Sequence, residues 1–372
     1  MFVEEIKLIN YRNYQYLNMN FCKEVNVIYG DNGQGKTNII ESIFFCSTGR
    51  SHRTSKDSEL VNKEERSFYI KVLYEKGSKK ESIEVGYEKN GKKQIKINEI
   101  PSQKIGNIIG KLNVVMFSPE DIMIIKGGPV ERRRTFDISI SQQKPSYFLD
   151  LQQYNKIILQ RNALLKSIKS NKSLIDTLEI WDNNMIITGS RIIYKRNEYI
   201  RELNKHYIKN HKLLTNNNDK AEIIYSPSVK AENYEDIKNI EQCFKEALKN
   251  VRDKEIENCY TFIGPQRDDY KFTLNNESIK QYGSQGQQRT AALALKISEI
   301  ELVKENIGEY PVLLLDDVMS ELDIKRRKYL FERISGIQTF ITTTDKEIIQ
   351  EKIKCENKYF YINDGNVTEE KI

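Results

Sequence analysis

Residues 25–46, VNVIYGDNGQGKTNIIESIFFC, constrain the architecture more than any other part of the chain. The apolar run Val25 to Tyr29 has the length and composition of a buried strand. It feeds GDNGQGKT at Gly30 to Thr37, which fits G-x-x-x-x-G-K-[ST], and NIIESIFFC follows with the character of a helix. Strand, glycine-rich turn and helix in that order are what a phosphate-binding loop requires. The residue types explain the chemistry. Glycines at 30, 33 and 35 let the backbone N–H groups of the loop, including those of Asp31, Asn32 and Gln34, wrap phosphate oxygens. Lys36 places a cation on the β and γ oxygens, Thr37 offers a hydroxyl to Mg²⁺, and the helix N-terminus adds its dipole.

Two later segments answer to this loop. PVLLLDD at 311–317 is a buried-strand run ending in two acids, at the strand end where an α/β fold presents carboxylates to a phosphate-bound metal. Asp316 is the Mg²⁺ candidate, and Asp317, pointing to another side, is placed to hold an attacking water as general base. Without a preceding phosphate loop, a core strand ending in a helix-capping Asp would explain the same run. YGSQGQQRTAALALKI at 282–297 sets Ser284, Gly286 and Gln287 at the start of an apolar helix, an anion-binding terminus that in isolation also reads as a simple capped helix.

Composition limits the alternatives. With 38% hydrophobic and 30% charged residues the chain fits a globular protein. Its longest apolar runs, such as Val312 to Leu315, fall far short of the ~18 residues of a membrane span. The N-terminus MFVEEIKLINYRNY carries acids where a signal peptide has bases, which points to the cytoplasm. Five scattered cysteines without a C-x-x-C pair suggest free buried thiols. A net charge of +6, from 59 bases against 53 acids, is compatible with a nucleic-acid partner but leaves local patches to decide.

The chain opens in strand-like segments, with EKNGKK at 88–93 as a hairpin turn, and from about Pro145 to Asn250 changes to apolar residues at helical spacing. Strand-like sequence returns after about Glu257. The expectation is an α/β protein whose P-loop core, with a β-rich N-terminal part, comes from residues 1–115 and 256–372, interrupted by a mainly helical lobe over 116–255. The polar stretch 204–222 reads as a loop or helix connection.

A P-loop near the N-terminus, S-x-G-Q at Ser284 to Gln287, and LLLDD followed by SELD at 320–323 is the order of an ABC-type ATPase head. Closer still, NYRNY at 10–14, GRSHRT at 49–54, SPED at 118–121, GGPVERRRTFD at 127–137, GPQRDD at 264–269 and ITTTD at 341–345 resemble the blocks of the RecF family, across nearly the whole chain. The resemblance implies ATP and Mg²⁺ as cofactors and an ATP-sandwiched homodimer in which Ser284 to Gln287 cap the γ-phosphate on the partner's P-loop. Asp317, Lys36 and Ser284 would then carry catalysis. It also implies DNA repair and replication-gap work within the SOS response, with duplex or gapped DNA, RecO and RecR as partners and slow, DNA-stimulated hydrolysis. Asp317 stands where transporters have Glu, the Thr343–Asp345 region where they have a switch His, and Gln266 where a family His is expected.

For DNA, ERRRTFD at 131–137 offers Arg132, Arg133 and Arg134 as phosphate contacts if they face the dimer groove, or as a solvated helix face if they do not. By resemblance Arg50, His52, Arg53 and Lys56 form an arginine loop coupling DNA to nucleotide. A transporter subunit fits less well, since Thr37 and Ser284 lie 247 residues apart. A chromosome-maintenance head would need a long coiled coil, and a small-molecule kinase would need neither S-x-G-Q nor SELD.

Overall fold

The computed structural model describes residues 1–215, 219–347 and 355–370. In chain order it forms β1 (Phe2–Tyr11), β2 (Tyr14–Asn20), β3 (Val25–Tyr29), α1 (Lys36–Thr48), β4 (Ser67–Lys76), β5 (Lys79–Glu88), β6 (Lys93–Ile97), β7 (Ile100–Ser102) and β8 (Val114–Phe117). Next come α2 (Ile122–Lys126), α3 (Pro129–Gln143), α4 (Pro145–Ser170), α5 (Leu178–Leu214), β9 (Ala221–Ser226), α6 (Ile237–Asn258), β10 (Asp269–Leu274), β11 (Glu277–Ser278) and α7 (Ile279–Tyr282). The chain finishes with α8 (Gln285–Ile307), β12 (Val312–Asp316), α9 (Ile324–Arg333), β13 (Thr339–Thr343), β14 (Asn357–Asn363) and β15 (Asn366–Glu370).

Residues 1–122 and 292–372 make one unit and residues 123–291 a second. The first holds two six-stranded sheets. One is antiparallel, in the order β2-β1-β4-β5-β6-β7; the other runs β15-β14-β3-β13-β12-β8 and is parallel except for the β14–β15 hairpin. Every residue of β3, β8, β12 and β13 is buried, as expected of a parallel sheet covered on both faces. Helix α1 touches strands of both sheets and buries Ile39, Ile40, Ile43, Phe44, Phe45 and Cys46 almost all round, which explains its lack of a polar face. Gln338 ties the two sheets together: its amide bonds both backbone groups of Val3, and its Nε2 also donates to Cys22 O at 2.8 Å.

The second unit packs α3, α4, α5 and α6 with a small antiparallel sheet, β11-β10-β9. The expected return to the first body at 256 is displaced: residues up to 291 stay here because β10 pairs along its length with β9. Strand β9 lies within the expected mainly helical lobe, and its alternating burial at Ala221 to Ile224 is the reason it forms there. Asn204 to Leu214 belongs to α5, not to a loop, while 216–218 lie outside the described residues. Cys22 and Cys46 are buried, but Cys243, Cys259 and Cys355 are half-buried, so the expectation of buried thiols holds for two of five.

Candidate nucleotide site

The central strand β3 ends at Tyr29, and the chain turns so tightly that only glycine fits. A Cβ on Gly30 (φ 146°) would lie 2.3 Å from the Ile362 carbonyl oxygen. Gly35 (φ 109°) precedes α1 in left-handed conformation, where a Cβ would meet the Asn13 side chain at 2.4 Å. The loop is braced from outside. Asn13 Nδ2 donates to Gln34 O at 2.9 Å, the Tyr14 hydroxyl to Gly35 O at 3.1 Å, and the Asp364 N–H to Gln34 Oε1 at 2.5 Å. Asp31, Asn32 and Gly33 are exposed at the tip. A helix leaves its first N–H groups without intrahelical acceptors, so the start of α1 faces outward as a ring of donors.

Lys36 is buried, and its Nζ donates to Gly30 O and Asp31 O, both at 2.7 Å. Burial lowers its pKa against the opposing charges of Asp317, Asp31 and Asp316. Thr37 Oγ1 donates to Asp316 Oδ1 at 2.9 Å, so the two Mg²⁺ candidates, 279 residues apart, are in contact. Thr342 on β13, in register with Asp316, donates to the same Oδ1 at 2.7 Å and accepts the Asp317 N–H at 3.0 Å. Sequence reasoning passed over Thr342 within ITTTD. Thr343, the neighbour it weighed, instead closes a local turn with Asp345.

Asp317 follows the strand in left-handed backbone conformation, at φ 51°. Its pKa is raised from the ordinary 3.8, first by burial, then by the charges of Asp316 and Glu321, with Lys36 acting the other way. A raised carboxylate is the stronger base. Lys36, Thr37, Asp316 and Asp317 are thus gathered at the carboxyl ends of β3 and β12. Asp316 with the Thr37 hydroxyl is an all-oxygen set suited to Mg²⁺.

The SPED block has a supporting role. Asp121 accepts the Ser118 N–H at 2.8 Å and the buried Lys296 ammonium of α8 at 3.1 Å, fixing the end of β8 to that helix. In the second unit, Ser284 caps α8. Its N–H donates to Gln287 Oε1 at 2.8 Å, and its Oγ accepts the Gln287 N–H at 3.3 Å. Ser284 and Gly286 are exposed.

The arginines do not form one surface. Arg132 is 4% exposed, its guanidinium spanning both oxygens of Asp269 at 2.7 and 3.0 Å and donating to Gly127 O at 2.9 Å. The expectation that it contacts DNA gives way, because successive helical residues point ~100° apart. Arg133 is half-buried on Asp268 O, and Arg134 is exposed. GPQRDD and GGPVERRRTFD are therefore partners: Asp269 holds Arg132, and buried Arg196 joins Asp137 to Asp268 at 2.9 Å each. Gln266 accepts the Tyr154 hydroxyl at 2.5 Å and donates to Ile263 O, beside Gly264 at φ 116°. In the first unit, Arg50 and Arg53 are exposed just after α1.

Residues 2–367 match the model of the RecF/RecN/SMC N terminal domain. The chain is 51% identical to the DNA replication and repair protein RecF of Acetivibrio thermocellus, over 98% of this chain and 99% of that protein. Identity to the RecF of Clostridium tetani is 43%, over 99% of this chain and all of the other. A solved structure of the recombination mediator RecF with ATP, in the RecFOR pathway, superposes with a TM-score of 0.92 at 42% identity, covering 100% of this chain and 98% of that one. An Smc head domain from Pyrococcus furiosus shares the fold alone, at 16% identity and TM-score 0.56, over 99% of this chain and 95% of the other. Matched end to end in sequence and structure, the chain belongs to the RecF family of DNA replication and repair proteins.

Proposed function

We propose that this protein is a slow, DNA-stimulated ATPase that closes as an ATP-dependent homodimer on duplex or gapped DNA and helps RecO and RecR to load recombinase. The observation that carries the reading is the junction of Thr37 with Asp316 at 2.9 Å beneath the P-loop, with Asp317 next in sequence in left-handed conformation.

The loop N–H groups and Lys36 bind the triphosphate, and Lys36 neutralises charge on its outer oxygens. Thr37 and Asp316 would hold Mg²⁺, which supplies charge neutralisation of the phosphates when bound. Asp317 accepts a proton from the attacking water. Its carboxylate is one methylene shorter than a Glu, and a water misplaced by ~1 Å costs about a hundredfold in rate. Slow turnover makes ATP a timer for the closed state. The Ser284 hydroxyl, at an exposed helix N-terminus, donates to the γ-phosphate on the partner's P-loop, while Arg50, Arg53, Arg133 and Arg134 contact DNA phosphates. No helix among the described residues is long and apolar enough to cross a membrane.

The test exploits the cap. Asp replaces Ser well at a helix N-terminus, so Ser284→Asp keeps α8 intact yet sets a negative charge where a phosphate must approach. ATP should bind as in the parent, while sedimentation with ATP should show monomer only; Ser284→Arg should block the sandwich by bulk. If both variants dimerise with ATP as readily as the parent, the signature does not act in trans.

A further inference from the structure

The segment carrying Arg50 and Arg53 is anchored by an acid on the P-loop helix. Glu41, in the second turn of α1, is fully buried. Its carboxylate accepts Nε and Nη2 of Arg12 at 2.9 and 2.7 Å and the Ser51 hydroxyl at 2.5 Å. Ser51 in turn accepts the backbone N–H groups of Arg53 and Thr54 at 3.0 and 3.2 Å, which folds the basic segment into a turn. Arg12 grips the far end. Its Nη1 donates to Glu59 O at 3.1 Å, and its N–H to Leu60 O at 2.8 Å, from a left-handed backbone at φ 56°. One carboxylate therefore holds the segment at both ends.

A second chain of bonds leads from the same segment to the phosphate loop. Arg53 Nη1 donates to Asn38 Oδ1 at 3.0 Å, Asn38 Nδ2 to Asn13 Oδ1 at 2.8 Å, and Asn13 Nδ2 to Gln34 O at 2.9 Å. His52, between the two arginines, packs edge-on against Phe44 of α1, and burial lowers its pKa. These contacts join Arg53 to α1 and to the phosphate loop.

We propose that Glu41, acting through Ser51, is a positioning residue that keeps Arg53 in register with the P-loop, and that the coupling of DNA binding to ATP binding depends on it. This rests on the reading above of where ATP and DNA bind. A buried ion pair is a poor means of gaining stability alone, since apolar residues of like volume serve as well or better. Its use is registry: Glu41 joins the β1–β2 turn, the P-loop helix and the basic segment at one point.

The test is a thermodynamic box on the full chain: affinity for Mg²⁺–ATP with and without a 30-base-pair duplex, and for the duplex with and without ATP. Ser51→Ala removes the hydroxyl between Glu41 and the N–H groups of Arg53 and Thr54 but leaves the Arg12–Glu41 pair; Ser51→Thr keeps the hydroxyl. In the parent each ligand should change the other's affinity by roughly 5–150-fold, the usual range of such coupling. Ser51→Ala should cut this to about twofold or less, leave ATP affinity without DNA within about twofold of the parent, and be rescued by Ser51→Thr. Glu41→Gln should lose the coupling and also unfold at lower temperature. A folded Ser51→Ala with parental coupling overturns the proposal, as does one whose ATP affinity falls equally with and without DNA. A parent that binds both ligands without coupling also overturns it, leaving the functional reading intact; a parent that binds neither ligand overturns that reading as well.

Discussion

Replacing Arg132 with alanine separates a structural arginine from one proposed to contact DNA. The side chain is removed from two bonds to Asp269 at 2.7 and 3.0 Å and one to Gly127 O at 2.9 Å. Breaking a buried pair by deleting one partner costs about 3–5 kcal/mol. Asp269 keeps 28% of its side-chain exposure, so water restores part of its solvation, and the low end, about 3 kcal/mol, applies. For a unit of this size each kcal/mol moves Tm by roughly 2–4 °C, which gives a fall of about 6–12 °C. Arg134→Ala, on the exposed side of the same helix, should shift Tm by no more than about 2 °C. In duplex binding the pattern reverses: Arg134→Ala should lower the salt slope by about one, and Arg132→Ala should leave it unchanged. Calorimetry and a salt titration of fluorescent duplex decide it. An Arg132→Ala protein of parental Tm with a flattened salt slope would refute the buried-pair argument and return this residue to the DNA surface.

Lys36→Ala should abolish most ATP binding by calorimetry with Tm close to the parent, because the cation is lost while the strand and helix that form the loop remain. Asp317→Asn should bind ATP normally, hydrolyse it far more slowly and hold the ATP dimer longer; parental turnover would assign the water to another residue. Glu41 predicts acid lability with a definite sign. Burial raises its pKa, but bonds from Arg12 and Ser51 outweigh this and leave it below the ordinary 4.5. Its contribution is present above that value and is lost as pH falls through the folded pKa, so Glu41→Gln should flatten the decline of Tm below about pH 4.5, and an equally steep decline counts against the assignment.

Local chemistry was legible in the sequence, and long-range pairing was not. Gly30 to Thr37 declare themselves because the glycines, the lysine and the hydroxyl act within one turn of chain, and PVLLLDD because an apolar run of that length fits a parallel strand buried on both faces. ERRR misled for the converse reason. What fixes Arg132 is Asp269, 137 residues away, and nothing local distinguishes a buried guanidinium from its exposed neighbour two places on. Similarly, nothing in GPQRDD shows that Asp268 is fully buried among Arg196, Tyr225 and the Ser228 N–H. Glu41 gave no signal at all, since on a helix that is buried all round an acid reads as an ordinary helix former. Its partners at 12 and 51 were visible only as parts of NYRNY and GRSHRT.

Ser284 shows why a motif can carry two meanings without conflict. Before the fold is known, S-x-x-Q ahead of an apolar helix is a capping box, and the geometry bears this out. The cap uses the hydroxyl oxygen as an acceptor for the Gln287 N–H, at a long 3.3 Å. A hydroxyl has one hydrogen as well as two lone pairs, so accepting from its own helix leaves it able to donate outward. That donor stands exposed at the N-terminus of a helix 23 residues long, where the dipole favours an anion. Capping therefore aims the group that phosphate recognition needs, and the helix stays folded whether or not a phosphate is bound. Asparagine would cap as well, but through a bulkier group, and alanine would neither cap nor donate. Serine meets both demands with the smallest side chain able to do so, which suits the close approach of a second subunit's nucleotide that we propose.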